Sequence, residues 1–293
     1  MIEAEENLRP LRVGLVQLCV GREVAANVAA AASHIRAAAA DGATYIQTPE
    51  NTNLIELNRK RLLESLGPRD DTRTLDAFRD LAAELGIWLH LGSLVVRLAD
   101  DRTTNRAHMI APDGSLAATY DKVNMFDAVL ANGERYRESA AYEAGDQVPV
   151  VELPFARVAM MICYDLRFPA LYRSAAQAGA EILTAPSAFT EQTGIAHWHV
   201  LQQARAIENG AFMISAAQGG VHESGRRTFG HSLVVDPWGA IRGEHDGPPG
   251  ATVLDIDLAE VARTRRRIAS LTHDRSFTFS FHHGQQDEQR GAA

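Results

Sequence analysis

The stretch NRAHMIAPDGSLAATY, residues 105–120, decides the fold class. Two strand-like runs, 105–111 and 116–120, flank Pro112-Asp113-Gly114. Pro presets the turn dihedral, Asp bonds its own backbone and Gly accepts a positive φ, so the segment predicts a hairpin. A second direct strand-to-strand step follows at 148–153 and 157–163, split by Pro154. Working outward, strand and helix otherwise alternate. Strands are expected at 11–20, 43–48, 87–96, 181–185 and 212–217, and helices at 23–40, 71–85, 169–178 and 197–209. Thr74 is read as a cap for the second helix. Residues 233–235 and 253–256 read as strands flanking a second ribbon, and 124–147 as a loop. Asp236-Pro237-Trp238-Gly239 fits a type I turn. Direct hairpins have no place in a doubly wound parallel sheet, so the sheets are mixed. About ten strands exceed what one twisted open sheet holds comfortably, which favours an α/β fold of two packed mixed sheets with outer helices.

Composition bounds the function. The 293 residues carry 29 Lys plus Arg against 37 Asp plus Glu, a formal charge of −8, so the chain lacks the basic surface of a general nucleic-acid binder. Hydrophobic residues make up 46%, enough to build a core. No apolar run approaches the ~18 residues of a membrane span. The acidic start, Met-Ile-Glu-Ala-Glu-Glu, lacks the positive region of a signal peptide. Two cysteines make no disulfide framework, and a cytoplasmic protein with free thiols is expected. With no internal linker or repeat, residues 1–293 read as a single domain with its core at 11–277. The polar ends, 1–10 and 282–293, are expected to fray.

Several residues can carry chemistry. Cys163 ends the apolar run 158–162 and precedes a helix, where backbone N–H groups can lower a thiol pKa or bind an oxyanion. The competing reading is a buried small hydrophobe. Cys19, inside a strand, reads as structural. Glu50 follows Thr48-Pro49 at a strand end, the usual mouth of an α/β site, and Lys122 closes the hairpin. Each alone also fits a solvated charge. Among 11 histidines, His197 and His199 lie two apart on a predicted helix and do not share a face, and no HExxH or CxxC pattern occurs. No metal site is expected.

Taken together, Thr48-Pro49-Glu50, Tyr120-Asp121-Lys122 and the run 162–169 around Cys163 resemble the three signature motifs of the nitrilase superfamily, the carbon–nitrogen hydrolases. Order and spacing also fit: Lys122 lies 72 positions after Glu50, and Cys163 lies 41 positions after Lys122. The resemblance runs over 11–277. Residues 188–198, 204–208 and 230–239 are similar to the amidase branch that includes deaminated-glutathione amidase and ω-amidase, and Ala216-Ala217-Gln218 with His222 leans toward the former. The resemblance implies a four-layer αββα fold, pairing into a homodimer or higher homo-oligomer through helices, and a Glu50-Lys122-Cys163 triad with no metal and no organic cofactor. Glu138 matches the further carboxylate that follows the lysine, ahead of Glu134. The chain departs from the branch at Asn124, where His is common, and across 128–132, where a Pro-containing loop is usual; both lie beside the implied site.

The chemistry expected of such a set is hydrolysis of a small carboxylate-bearing amide through a Cys163 thioester. Aliphatic amidase, nitrilase and acyltransferase chemistry use the same intermediate, and a catalytically silent scaffold has no need of all three residues. Glu50 would act as base and then acid, with burial raising its pKa. Lys122 and the backbone N–H of Tyr164 would hold the oxyanion. Phe189 and Thr193 would form pocket wall, while Asp165 and Arg167 would support the Cys163 turn. A substrate carboxylate needs a local cation, for which Arg135, Arg137, Arg226 and Arg227 are candidates.

Overall fold

A computed structural model describes residues 8–68, 72–98, 101–131 and 133–282. The expected frayed ends lie outside the described residues apart from 8–10 and 282, as do Asp71 at the expected helix start and Asn132 of the departing loop.

The first half runs β1 (Pro10–Gln17), α1 (Val24–Ala40), β2 (Tyr45–Gln47), α2 (Arg59–Leu66), α3 (Arg73–Leu85), β3 (Trp88–Arg97), β4 (Thr103–Ile110) and β5 (Leu116–Asp121). Then come β6 (Asp127–Val129), β7 (Arg135–Arg137), β8 (Tyr142–Glu143), β9 (Val150–Glu152), β10 (Arg157–Ala159), α4 (Pro169–Gln177) and β11 (Ile182–Thr184). The chain ends with α5 (Glu191–Asn209), β12 (Phe212–Ser215), β13 (Gly219–Val221), β14 (Arg227–Phe229), β15 (Ser232–Val235), β16 (Ile241–His245), β17 (Gly250–Asp257) and α6 (Ala259–Arg267).

Two mixed sheets form. The first has the order β17-β1-β2-β3-β4-β5, with β8 beside β4; the second has the order β16-β15-β12-β11-β10-β9. Each has a parallel centre, β1-β2-β3 or β10-β11-β12, flanked by antiparallel strands. The expected hairpin is β4–β5, registered Arg106 to Asp121.

The period of two along β1 assigns the layers. Leu11, Val13 and Leu15 point into a core shared with Val158, Met160, Phe212, Ile214 and Leu233 of the second sheet. Val16 and Leu18 point the other way, into a core with Ile35 and Ala38 of α1 and Phe78 and Leu81 of α3. Helix α1 buries Asn27, Ala31, Ile35 and Ala38, a stripe at helical spacing. Its alanines allow close approach: a Cβ on Gly14 would meet those of Ala38 and Ala43 at 3.1 Å. Helices α4 and α5 cover the second sheet, giving the expected αββα layering. Helix α4 starts with Pro169, whose missing N–H is not needed there.

Some expectations change. Helix α3 is capped at Thr72 without a side-chain bond, and Thr74 lies inside it. Residues 233–235 and 253–256 fall in different sheets, because β15 pairs β16 while β17 pairs β1. The loop at 124–147 contains β6, β7 and β8. Helix α5 begins six residues earlier than expected, where the Thr190 side chain accepts from the Thr193 N–H. Arg9 and Pro10 are not frayed: Pro10 opens β1, and the Arg9 N–H bonds Asp257 at 2.9 Å.

Candidate active site

Three segments leave the carboxyl ends of strands on one side of the sandwich. Glu50 comes three residues past β2, Lys122 one past β5 and Cys163 four past β10. All three are buried, and all line one cavity of about 510 Å³, a size suited to a small molecule.

Lys122 is the hub. Its Nζ donates to Glu50 Oε1 at 2.9 Å and to the two Glu138 oxygens at 2.9 and 2.8 Å, using all three ammonium protons. Glu50 Oε1 also accepts from Asn105 Nδ2 at 2.8 Å, and Oε2 from the Ala188 N–H at 2.7 Å. Glu138 Oε2 accepts from the Phe126 N–H at 2.6 Å. Buried charges survive only when paired and hydrogen-bonded, and here each is. Burial alone would neutralise Lys122, but Glu138 and Glu50 hold its pKa well above the ordinary lysine value.

Glu50 differs from expectation. Burial pushes its pKa up, but the charges of Lys122 and Arg226 and the hydrogen bonds from Lys122 and Cys163 outweigh burial and hold it below the usual value. The Cys163 thiol moves the opposite way: burial first, then the Glu50 charge, raise its pKa, against a smaller pull from Lys122. The resting pair is therefore a carboxylate beside a protonated thiol.

Cys163 opens a short 3-10 turn, Cys163–Arg167, with φ +46°, a left-handed conformation that costs a non-glycine residue roughly 1–3 kcal/mol. Asp165 holds the turn. Its Oδ2 accepts from the Ile162 N–H at 2.9 Å and the Tyr120 hydroxyl at 2.6 Å, and Oδ1 accepts from Asn124 Nδ2 at 2.8 Å and the Asn124 N–H at 3.1 Å. Asn124 thus ties the lysine segment to the cysteine turn and is absent from the cavity lining. The Cys163 N–H itself bonds the Pro186 carbonyl at 3.1 Å.

Tyr164, Phe189 and Thr193 line the cavity as expected. Arg167 does so too, with its guanidinium 5.4 Å from the Phe189 ring centroid, so it is wall as well as turn. Of the four candidate cations, Arg135, Arg137 and Arg226 line the cavity. Arg227 does not: it is exposed and pairs with Glu191 at 2.7 Å. Arg226 Nη2 donates to the Ala188 carbonyl at 2.5 Å, and its guanidinium sits 5.5 Å from the Tyr136 centroid. Cys19 is partly buried and 3.9 Å from His222, away from this cavity.

Sequence reasoning missed Asn105, the Ala188 N–H and the reach of Arg226 to Glu50. Asn105 was accessible: extending the hairpin register by one pair sets it opposite Lys122, whose N–H bonds the Asn105 carbonyl at 3.0 Å. The other two depend on tertiary packing.

The chain is similar to known proteins over most of its length. Deaminated glutathione amidase from Yersinia enterocolitica is 35% identical over 271 residues, covering 92% of this chain and 94% of that protein. The Caenorhabditis elegans NitFhit protein superposes with a TM-score of 0.85 at 34% identity, over 91% of this chain and 65% of that longer one. A Glu-to-Gln mutant of an amidase from Nesterenkonia sp. AN1, solved with acrylamide added to its active-site cysteine, superposes with a TM-score of 0.73 at 25% identity, over 88% of this chain and 98% of that one. The carbon–nitrogen hydrolase family profile matches residues 12–266, and the chain belongs to that family, a hydrolase of carbon–nitrogen bonds other than peptide bonds.

Proposed function

We propose that the protein hydrolyses a small carboxylate-bearing amide, of the kind the deaminated glutathione amidases are named for, through a thioester on Cys163. The single observation that carries the reading is the buried charge network: an ionised Glu50 beside the protonated Cys163 thiol, with Lys122 bonded to Glu50 and Glu138. Glu50 takes the thiol proton as Sγ bonds the amide carbon. The oxyanion is held by Lys122 and the Tyr164 N–H. Because Glu138 accepts two of the three Lys122 bonds, one can swing to the oxyanion while the other keeps the lysine charged. Glu50 returns the proton to the leaving nitrogen, the C–N bond breaks and ammonia departs. It then takes a proton from water, whose oxygen bonds the acyl carbon as the thioester C–S bond breaks, and the thiol is restored. The adduct on the Nesterenkonia enzyme's cysteine supports giving Cys163 this part.

Arg226 and Arg167 supply the cations for the substrate carboxylate, with Arg135 and Arg137 at the exposed rim. One apolar core, which includes Cys163, is shared by both sheets, and this supports reading 1–293 as one catalytic domain. A homodimer is supported by exposed Val200 and Ile207 on α5 beside Trp238, at 66%, 55% and 57% exposure, an apolar patch of the sort subunits cover. The two free cysteines favour the cytoplasm, and no helix of the described residues is long and apolar enough to cross a membrane.

The test is mass spectrometry of the protein mixed with an acidic ω-amide, its methyl ester and a neutral aliphatic amide. We expect ammonia release and an acyl adduct on Cys163 with the acidic compound, and a raised KM with little change in kcat in Arg226→Ala. Equal or better kcat/KM with the neutral compounds would instead favour a general aliphatic amidase.

A further inference from the structure

We propose that His199, His231 and Glu244 form a binding site for a zinc-class divalent cation, outside the catalytic cavity. The three come from separate places in the chain. His199 lies on α5, His231 immediately precedes β15 and Glu244 lies on β16. Their spacing matches no sequence motif; the fold assembles them. Three ligand atoms, one from each residue, fall within 4.8 Å of one another. His199 Nε2 is 2.8 Å and His231 Nδ1 2.5 Å from the same oxygen, Glu244 Oε1. None of the three lines the cavity.

Two imidazoles and a carboxylate are a donor set that borderline divalent ions accept. Ligands at about 2.1 Å from a tetrahedral ion lie roughly 3.4 Å apart, so each N···O separation opens by less than about 1 Å on loading. Each ring would offer the ion the lone pair of the nitrogen that now faces Glu244, with its one proton carried on the other ring nitrogen, and the carboxylate stays in place. Both rings are already positioned. His231 stacks on Phe229, with centroids 4.2 Å apart and planes 22° apart, and His199 meets Phe229 edge-on at 5.9 Å and 86°. Trp198 Nε1 donates to the His231 carbonyl at 2.8 Å, and His231 is held at φ +59°, a conformation uncommon for its type. The side chains are 32%, 30% and 27% exposed, which lets an ion enter and keep water in its open positions. A bound ion would fasten α5 to the β15–β16 ribbon.

The experiment is titration of the chelator-stripped full-length chain with Zn(II) against a chromophoric competitor, repeated with Co(II) to read the ligand-field band. We expect one equivalent bound by the parent chain and by Cys163→Ala, which separates this site from the catalytic thiol. His199→Ala and Glu244→Gln should each weaken binding by at least about tenfold and remove the cobalt band, with unchanged circular dichroism. Glu244→Gln is close in shape to the parent, so it reports on the ligand rather than on folding. No stoichiometric binding, or binding undiminished in both variants, overturns the proposal.

Discussion

Cys163 and Glu50 divide one proton in a way that sets the acid behaviour of the enzyme. The charges of Lys122 and Arg226, with the hydrogen bonds from Lys122 and Cys163, outweigh burial at Glu50, so its folded pKa lies below the ordinary carboxylate value and the base is ready at neutral pH. As pH falls through that folded pKa the base is lost, so the acid limb of kcat/KM should lie below pH 4.5 when read in brief pH-jump assays that outrun unfolding. A limb at pH 6–7 would show that burial dominates and that Glu50 rests protonated. Glu50→Gln removes the base and should lower kcat by roughly 10²–10⁴. Asn124 acts one step back. Its side chain and N–H supply two of the four bonds that Asp165 accepts while holding the left-handed Cys163 turn. Asn124→Ala should cost about 1–3 kcal/mol in urea unfolding and lower kcat more than it raises KM, since the residue positions the nucleophile and does not line the cavity. A KM-only effect would mean that it meets substrate instead.

At the scale of elements, the β3 bulge between Leu91 and Leu94 governs where Glu50 sits. Gly92 lies there against the segment that leads from β2 to Glu50: an added Cβ would fall 2.0 Å from the Thr48 carbonyl, 2.7 Å from that of Pro49 and 2.6 Å from Pro186 Cβ. These are backbone atoms or a rigid ring, with no flexible tip to yield. Gly92→Ala should therefore cost at least about 1–3 kcal/mol and depress turnover. Parent-like melting and activity would show that the strand end has slack. The same element view explains what could be read in advance. The β4–β5 hairpin was legible because Pro112-Asp113-Gly114 is local turn chemistry, and Glu50, Lys122 and Cys163 because each follows a strand within a recognisable motif. The β13–β14 ribbon was hidden: its glycines and arginines look like a loop, and its pairing relies on contacts such as the Thr190–Thr228 bridge. Arg226 was among the candidate cations, but its effect on Glu50 was hidden with the ribbon. The start of α5 was missed because Gly194 interrupts a helical pattern; there the missing Cβ makes room for Phe229, whose Cγ would lie 2.2 Å from it. The cation-ligand set is tertiary in the same sense.

For the whole molecule, buried polar residues on both faces of the first sheet tie stability to pH. His90 on β3 and His108 on β4 are buried, and burial lowers their pKa values to about 3 and about 4. His90 Nδ1 lies 3.0 Å from both the Tyr45 hydroxyl and Gln47 Nε2, so it accepts, and a protonated ring would break that arrangement. Both folded values lie below the unfolded histidine value of about 6.5, so the unfolded chain binds more protons as pH drops and stability falls with it. The loss begins near pH 6.5 and continues to the folded values. At pH 5 the unfolded ring is about 1.5 pH units below its pKa, a loss of about 2 kcal/mol for each histidine. His222, lowered chiefly by burial, acts in the same direction. Two such terms are a large share of the ~5–15 kcal/mol that holds a domain together. Urea unfolding at pH 7.5 and pH 5 should show the midpoint falling with the m-value constant, and His108→Gln should flatten the dependence even if it lowers stability at neutral pH. A midpoint that does not move between the two pH values would show that the buried histidines are charged in the folded protein or are hydrated, and that the interior around them is wetter than its packing indicates.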